Sequence, residues 1–344
     1  MRVFVTGAGG FVGAHTARAL LRAGHELRLL VRDPQPVRAY FARHGHPLDD
    51  LVVGDMRDAE TVRRGLAGCD AVVHAAALVS LDSRRSEEIY RNNVDGIQAV
   101  LGSACALGIE RIVYVSSLSV LFQSGITQID ESTPLGRPRE PYARSKRDCD
   151  EHVRRMQENG APIQISYPSG VVGPDDPKLC ESNGGIRSFV SMSLPITSSG
   201  FQFVDARDLA QAHRYMVENP VGHPQSGRFI VAGNYQSWRD LRALLERVTG
   251  RRAPAIHMPG VMLRAIGEAA DMLRRLRPFE SQISAEAMKY VTQWVPAVSD
   301  RILRAAQMRF RSSEETLADT IRWMSAAGHL ESRFAGVLAN ASST

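Results

Sequence analysis

The chain has 344 residues, 44% of them hydrophobic and 23% charged, with a mean hydropathy of -0.19. That balance excludes wholesale disorder and fits one large domain or two interleaved ones. The formal net charge of +5 comes from scattered arginines, with only Lys146, Lys178 and Lys289 as lysines; no basic block or recognition motif accompanies it, so no nucleic-acid partner is expected.

Met1 leads at once into the strand-like Arg2-Val-Phe-Val-Thr6, which leaves no room for a signal peptide. Every apolar run falls short of the roughly 18 residues a membrane span requires, so no stable membrane insertion is expected. Cys69, Cys105, Cys149 and Cys180 stand far apart; a reducing, cytoplasmic setting without a disulfide framework or metal site follows.

In chain order, strands are predicted at Val3 to Thr6, Leu27 to Val31, Leu51 to Val53, Ala71 to His74, Ile112 to Ser116 and Ile163 to Tyr167. Helices are predicted between them at Val12 to Ala23, Ala59 to Ala67, Ser86 to Leu107 and Pro141 to Asn159. Near-continuous apolar strands alternating with amphipathic helices imply an α/β, Rossmann-type, doubly wound parallel sheet. Beyond Gly173-Pro174 the texture becomes loop-rich through Gly184-Gly185, Pro195 and Ser198-Ser-Gly200. A strand over Phe201 to Val204, a helix over Asp208 to Glu218 and a strand over Arg228 to Ala232 follow. Ser237 to Gly250 reads as a helix with Ser237 at its N-cap and Gly250 past its end. The domain reading is 1–170 for the dinucleotide-binding part, with 201–235 returning to it, and 171–200 plus 236–344 as a smaller, mostly helical substrate region. Gly260 to Leu276 is amphipathic, with apolar Leu263, Ile266, Ala270 and Leu273 among arginines; it can pack on the core, on a partner or on a membrane, and core or interface packing is preferred.

Thr6-Gly-Ala-Gly-Gly-Phe-Val-Gly13 lies between the first strand and the first helix. Gly7, Gly10 and Gly13 allow close backbone approach to a pyrophosphate, and the helix N-terminus favours its charge. After the second strand, Val31 stands where an NAD-selective site would place a carboxylate, and Arg32 offers a guanidinium to the extra phosphate of NADP. NADP is therefore preferred and NAD remains possible; alternatively Arg32 coats the surface or pairs with Asp33. Asp55, in Gly54-Asp55-Met56, can accept from the adenine amino group or form a turn or helix cap.

Tyr142-Ala-Arg-Ser-Lys146 places a phenol and an ammonium four residues apart on one helix face. A phenol with a pKa of about 10 needs such a cation to exchange protons near neutrality. Ser116 and Ser117 end the fifth strand, at the sheet edge where open α/β folds bind ligands. A hydroxyl there can hold a substrate oxygen.

These residues, with His74-Ala-Ala-Ala77, Asn93-Val-Asp-Gly96, Tyr167-Pro-Ser-Gly-Val-Val-Gly-Pro174 and Phe203-Val-Asp-Ala-Arg-Asp-Leu-Ala210, make the chain resemble the extended short-chain dehydrogenase/reductase superfamily. The resemblance covers the NAD-dependent epimerase/dehydratases and points to the dihydroflavonol 4-reductase-like branch. It implies a catalytic triad of Ser117, Tyr142 and Lys146. It also implies a cofactor site that includes Phe11, Val12 and Met56 beside the glycines, with Ala75, Ala76 and Ala77 lining the pyrophosphate, Pro168 to Val171 passing the nicotinamide, and Asn92 or preferably Asn93 steadying the site. Phe201 stands where sugar-nucleotide epimerases usually carry an Arg, and Tyr167 replaces a usual Arg before Pro168. A homodimer, paired through the helix carrying Tyr142 and the long helix before the fifth strand, is implied as well.

The reading that results is an NADP(H)-dependent oxidoreductase reducing a ketone or aldehyde, or oxidising the alcohol, of a hydrophobic small molecule. Two alternatives stand beside it: a nucleotide-sugar epimerase/dehydratase, and a non-catalytic dinucleotide-binding sensor.

Overall fold

Val3 and Val5 point to one face of their strand and Phe4 to the other, and all three are fully buried, as a strand covered by helices on both sides requires. The computed structural model describes residues 1–77, 86–138, 141–221, 227–276 and 284–340. Its strands are β1 (Arg2–Thr6), β2 (Glu26–Val31), β3 (Leu51–Val53), β4 (Ala71–His74), β5 (Arg111–Val115), β6 (Ile163–Pro168), β7 (Gly170–Val172), β8 (Leu194–Ile196), β9 (Gly200–Asp205), β10 (Arg228–Val231), β11 (Asn234–Ser237) and β12 (Ala255–His257). Seven of them form one sheet in the order β3-β2-β1-β4-β5-β6-β10, every pair parallel. Strand order reverses around β1, so ligands belong in the crevice at the carboxyl ends of β1 and β4.

The two faces have separate cores. On one, Ala14, Ala17 and Leu20 of α1 (Phe11–Arg22), Phe41 of α2 (Pro34–Arg43) and buried residues 209–217 pack on Val3, Val5, Leu29 and Val113. On the other, Val62 and Leu66 of α3 (Ala59–Leu66), Ile97 of α4 (Ser86–Ile97), Ala104 of α5 (Ser103–Ala106) and Val153 of α6 (Pro141–Glu158) cover Phe4, Leu30, Val72 and Ile112. A π-helical stretch over Gln98–Gly102 interrupts the single helix expected from 86 to 107.

The stretch predicted as loop holds α7 (Glu181–Ser191) and β8. Its two glycines lower helix propensity, but burial of Ile186 and Val190 in a third core outweighs that cost. Helix α8 (Ala206–Glu218) packs beside α1. Helix α9 (Trp238–Thr249) starts as predicted, with Ser237 accepting from the Asp240 amide, and stops at Gly250 with φ of 65°. Helices α10 (Gly260–Leu276), α11 (Ala285–Gln293), α12 (Asp300–Ala305) and α13 (Ser313–Ala326) follow. The third core joins β7 and β8 to α7, α9 and α13 through Val172, Leu194, Trp238, Leu241, Leu317 and Ile321. Helix α2 and strands β11 and β12 were not anticipated. The signals for α2 were Pro34 at its first position and Asp33 capping the Gln35 amide at 3.0 Å.

Candidate active site

The glycine turn follows from steric necessity. Gly7 has φ of 81°, and a Cβ there would lie 2.6 Å from the backbone of Ala75 and Ala76; one on Gly13 would lie 2.2 Å from the Gly7 carbonyl oxygen. Gly10 opens α1 with no side-chain cap and no acidic residue in the first turn, so the helix dipole is unopposed where a pyrophosphate would rest. Phe11 is buried edge-on against His15, and Val12 is half-buried. Thr6 Oγ1 bonds His74 Nδ1 at 2.7 Å and accepts from the Ala76 amide at 3.3 Å, which holds the half-buried Ala75–Ala77 segment beside the turn. These observations fit a dinucleotide.

At the end of β2, Val31 is buried and Arg32 is exposed. The Asp33 carboxylate is directed to the α2 cap. Asp55 forms the turn foreseen as its alternative, accepting from the Arg57 amide at 2.9 Å and from its guanidinium at 3.0 Å. That bonding holds its carboxyl below the usual carboxylate range. Met56 lies over Gly96 of α4, where a Cβ would approach its Cε to 2.9 Å.

Register carries the same sheet edge onward, since Thr6 sits beside His74, His74 beside Tyr114, and Val115 beside Ser166. Lys146, buried on α6, donates to the Val115 carbonyl at 3.4 Å and lies 5.8 Å from the Tyr114 ring centroid. Burial lowers its pKa, while Cys149 and Asp150 act in the opposite sense. Tyr142 is the second residue of α6, one turn before Lys146; its side chain, like that of Asn92, lies outside the described residues. Asn93 Nδ2 donates to Ser145 Oγ at 3.0 Å, tying α4 to the turn of α6 that carries Lys146.

The two serines separate clearly. Ser116 is buried and donates to Asp150 at 2.6 Å. Ser117 is half-buried, shares a 2.8 Å bond with Ser119 Oγ and caps the short helical turn Leu118–Leu121.

Sequence reasoning missed the buried network behind these serines. The Asp150 carboxylate accepts from Arg154 at 2.8 Å and from the Tyr167 hydroxyl at 3.0 Å. Burial pushes its carboxyl upward despite the Arg154 charge. The helical spacing of Lys146, Asp150 and Arg154 was the available signal. Tyr167, set where the resemblance expects Arg, thus receives its guanidinium partner from α6. His74, buried with its pKa lowered to about 3 by desolvation and Lys146, was also missed.

Farther along, Pro168 ends β6 and Val171 is buried on β7. Ser169 Oγ donates to the Ala232 carbonyl at 2.7 Å. Phe201 stacks on Phe203 and Trp238 and meets Phe189 edge-on. Phe122, shortly after Ser117, stacks on Trp294 and meets Tyr290 edge-on, bringing the end of α11 against the segment that follows β5. Among the described residues no His, Cys, Asp and Glu group could hold a metal, and all four cysteines are free.

Known proteins agree with this architecture. A Synechocystis sp. protein provisionally named dihydroflavonol 4-reductase is 28% identical over 96% of both chains. The sterol demethylase protein B of Methylococcus capsulatus is 26% identical, covering 95% of this chain and 99% of its own. The crystal structure of gox2253 superposes with a TM-score of 0.79 at 28% identity, covering 96% of this chain and 99% of that one. The model of the NAD dependent epimerase/dehydratase family matches residues 3–232, from the first strand through the last strand of the main sheet. On that match the chain belongs to the NAD dependent epimerase/dehydratase family, within the extended short-chain dehydrogenase/reductase superfamily.

Proposed function

We propose that the protein is an NADP(H)-dependent oxidoreductase that interconverts a ketone or aldehyde and its alcohol on a hydrophobic small molecule. The observation that carries this reading is the buried Lys146 ammonium, one turn past Tyr142 and bonded to Val115 at the end of the strand that leads into Ser116 and Ser117. Tyr142 exchanges the proton with the substrate oxygen, and Lys146 makes that possible by favouring the phenolate. Ser117, whose neighbour is held by Asp150, holds the substrate oxygen. Asn93 positions the Lys146 turn through Ser145. When bound, the nicotinamide dinucleotide supplies or accepts the hydride. Gly7, Gly10, Gly13 and Ala75 to Ala77 cradle its pyrophosphate, Pro168 and Val171 border its nicotinamide, and Met56 and Asp55 border its adenine.

Arg32 supports the NADP preference because it is exposed at the end of β2 while Asp33 serves the helix cap. Phe201, embedded among aromatic rings, supports an apolar substrate over a sugar diphosphate, as do Phe122, Tyr290 and Trp294. Residues 171–200 and 236–344 form the substrate region, and two chains pair through the α4 and α6 side. A second reading, epimerisation with internal recycling of the cofactor, is favoured by the family match.

The test is a titration with NADPH and NADH, followed by turnover of carbonyl compounds and nucleotide sugars. Net NADPH consumption with a carbonyl compound is expected. Conversion of a nucleotide sugar with no net consumption would overturn the proposal in favour of the second reading.

A further inference from the structure

Helix α10 is built inside out. Toward α11 it turns Arg264, which donates to Thr292 Oγ1 at 3.1 Å, and Asp271, which accepts from the Ala285 amide at 3.0 Å and pairs with Arg274. Gly267 completes that face, so close to α11 that a Cβ would meet the Ser284 carbonyl oxygen at 2.6 Å. The outward face carries Val261, Met262, Ile266, Met272 and Leu273, exposed by 69, 54, 41, 67 and 54%. Ala265 and Ala269 lie exposed between them, beside the charged Glu268. Together with Ile256, these account for half of the large apolar side chains exposed among the described residues. A solvated helix normally shows the reverse arrangement, and an apolar patch of this kind marks a contact surface.

What covers it is indicated by charge. A hollow of about 680 Å³ is lined by Arg239, Arg242, Arg251, Arg252 and His257, with Glu246 as its acid. Glu246 is paired with Arg242, whereas Arg239 and Arg252 are exposed and make no ion pair among the described residues. His257, on the hollow's rim, is three residues from the start of α10, so cationic hollow and apolar face adjoin. A second copy of this chain would bring the same excess of arginine, at a net charge of +5, to face it.

We propose that α10 and the arginine hollow form one docking surface for an anionic lipid bilayer. The helix, about 25 Å long at 1.5 Å per residue, lies along the interface with its apolar face at the acyl boundary, and the arginines meet lipid phosphates. No helix among the described residues is long and apolar enough to cross a membrane, so this contact is peripheral. Docked in this way, α11 and the Phe122–Tyr290–Trp294 rings sit on the bilayer side of the protein. A lipophilic substrate would then reach the site without entering bulk water; that consequence rests on the proposed reaction, whereas the docking does not.

The test is flotation of the intact protein with phosphatidylcholine vesicles, with and without phosphatidylglycerol, at low and high salt. Binding to the anionic vesicles, weakened by salt, is expected. Arg239→Glu with Arg252→Glu should weaken it about tenfold or more, and Val261→Glu with Ile266→Glu should abolish it. Should the glutamate variant melt early, Val261→Ser with Ile266→Ser serves instead and should weaken binding. Absence of binding to anionic vesicles overturns the proposal, as does equal binding to both vesicle types. Sedimentation velocity supplies the rival outcome: self-association lost in the Val261/Ile266 variants, without vesicle binding, would assign the face to a second copy. Because these readouts need no substrate or cofactor, they fail independently of the proposed oxidoreductase activity.

Discussion

Ser116 donates its hydroxyl proton to Asp150 across 2.6 Å within a buried pair, and this bond sets its surroundings apart from those of the serine beside it. Asp150 also receives Arg154 and Tyr167, so Ser116 belongs to a structural network while Ser117 remains at the open edge of β5. Ser117→Ala should therefore lower kcat about 100-fold or more, with about 1 kcal/mol of stability lost from the cap of the short turn. Ser116→Ala should cost about 1–3 kcal/mol of stability by stripping a donor from a buried carboxylate. Steady-state kinetics beside urea unfolding check both. Loss of turnover in Ser116→Ala at full stability would exchange the two roles.

Tyr142→Phe keeps the ring and removes the exchangeable proton. Turnover should fall by about 100-fold to 10,000-fold, while the NADPH dissociation constant, measured by fluorescence titration, stays nearly the same. Wild-type activity in this variant would refute the proton-transfer assignment.

Arg32 stands exposed at the end of β2. A charge-assisted bond to the extra phosphate is worth about 1.5–3 kcal/mol, so Arg32→Ser should weaken NADPH binding roughly 10-fold to 150-fold. NADH binding should hardly change. Parallel titrations with the two cofactors decide it, and an equal loss for both would remove Arg32 from cofactor selection.

A methyl group at residue 13 has nowhere to go, since it would lie 2.2 Å from the Gly7 carbonyl oxygen. Gly13→Ala should cost about 1–3 kcal/mol by forcing α1 off the turn, and cofactor binding should fall with it. Calorimetry of the free and NADPH-loaded protein measures both effects; a variant as stable and as tightly bound as the wild type would show that the turn can yield.

Burial holds His213 neutral between Thr16 and Ser166, with its pKa lowered to about 3. The unfolded imidazole titrates near 6.5. Between these values the unfolded chain binds more protons, so this residue's contribution to stability is complete above about pH 6.5 and declines as pH falls toward 3. Burial also pushes the Asp150 carboxyl upward, so a difference against His213→Gln isolates the imidazole. From pH 6 to 4 the wild type should lose about 1.4 kcal/mol per pH unit more than the variant. Parallel urea curves at both pH values would contradict neutral burial.

The sequence by itself determined the alternating strands and helices, because hydrophobic periodicity is a local property. It likewise determined the glycine turn, because the steric demands on Gly7 and Gly13 arise within a few residues, apart from the contact with Ala75. The Tyr142–Lys146 spacing and the Ser237 and Gly250 helix ends were legible for the same reason. Only the tertiary structure decided which serine is held, since Ser116 and Asp150 are 34 positions apart and meet only when α6 lies across β5. Tertiary burial likewise made a helix of 181–191 despite its glycines. It also turned Arg264 and Asp271 of α10 inward and Val261, Ile266 and Leu273 out. A helical pattern tells which residues share a face, but which face meets the protein depends on what the neighbouring helix offers. Here α11 offers the polar Thr292 and the Ala285 amide, and the polar side of α10 turned toward them.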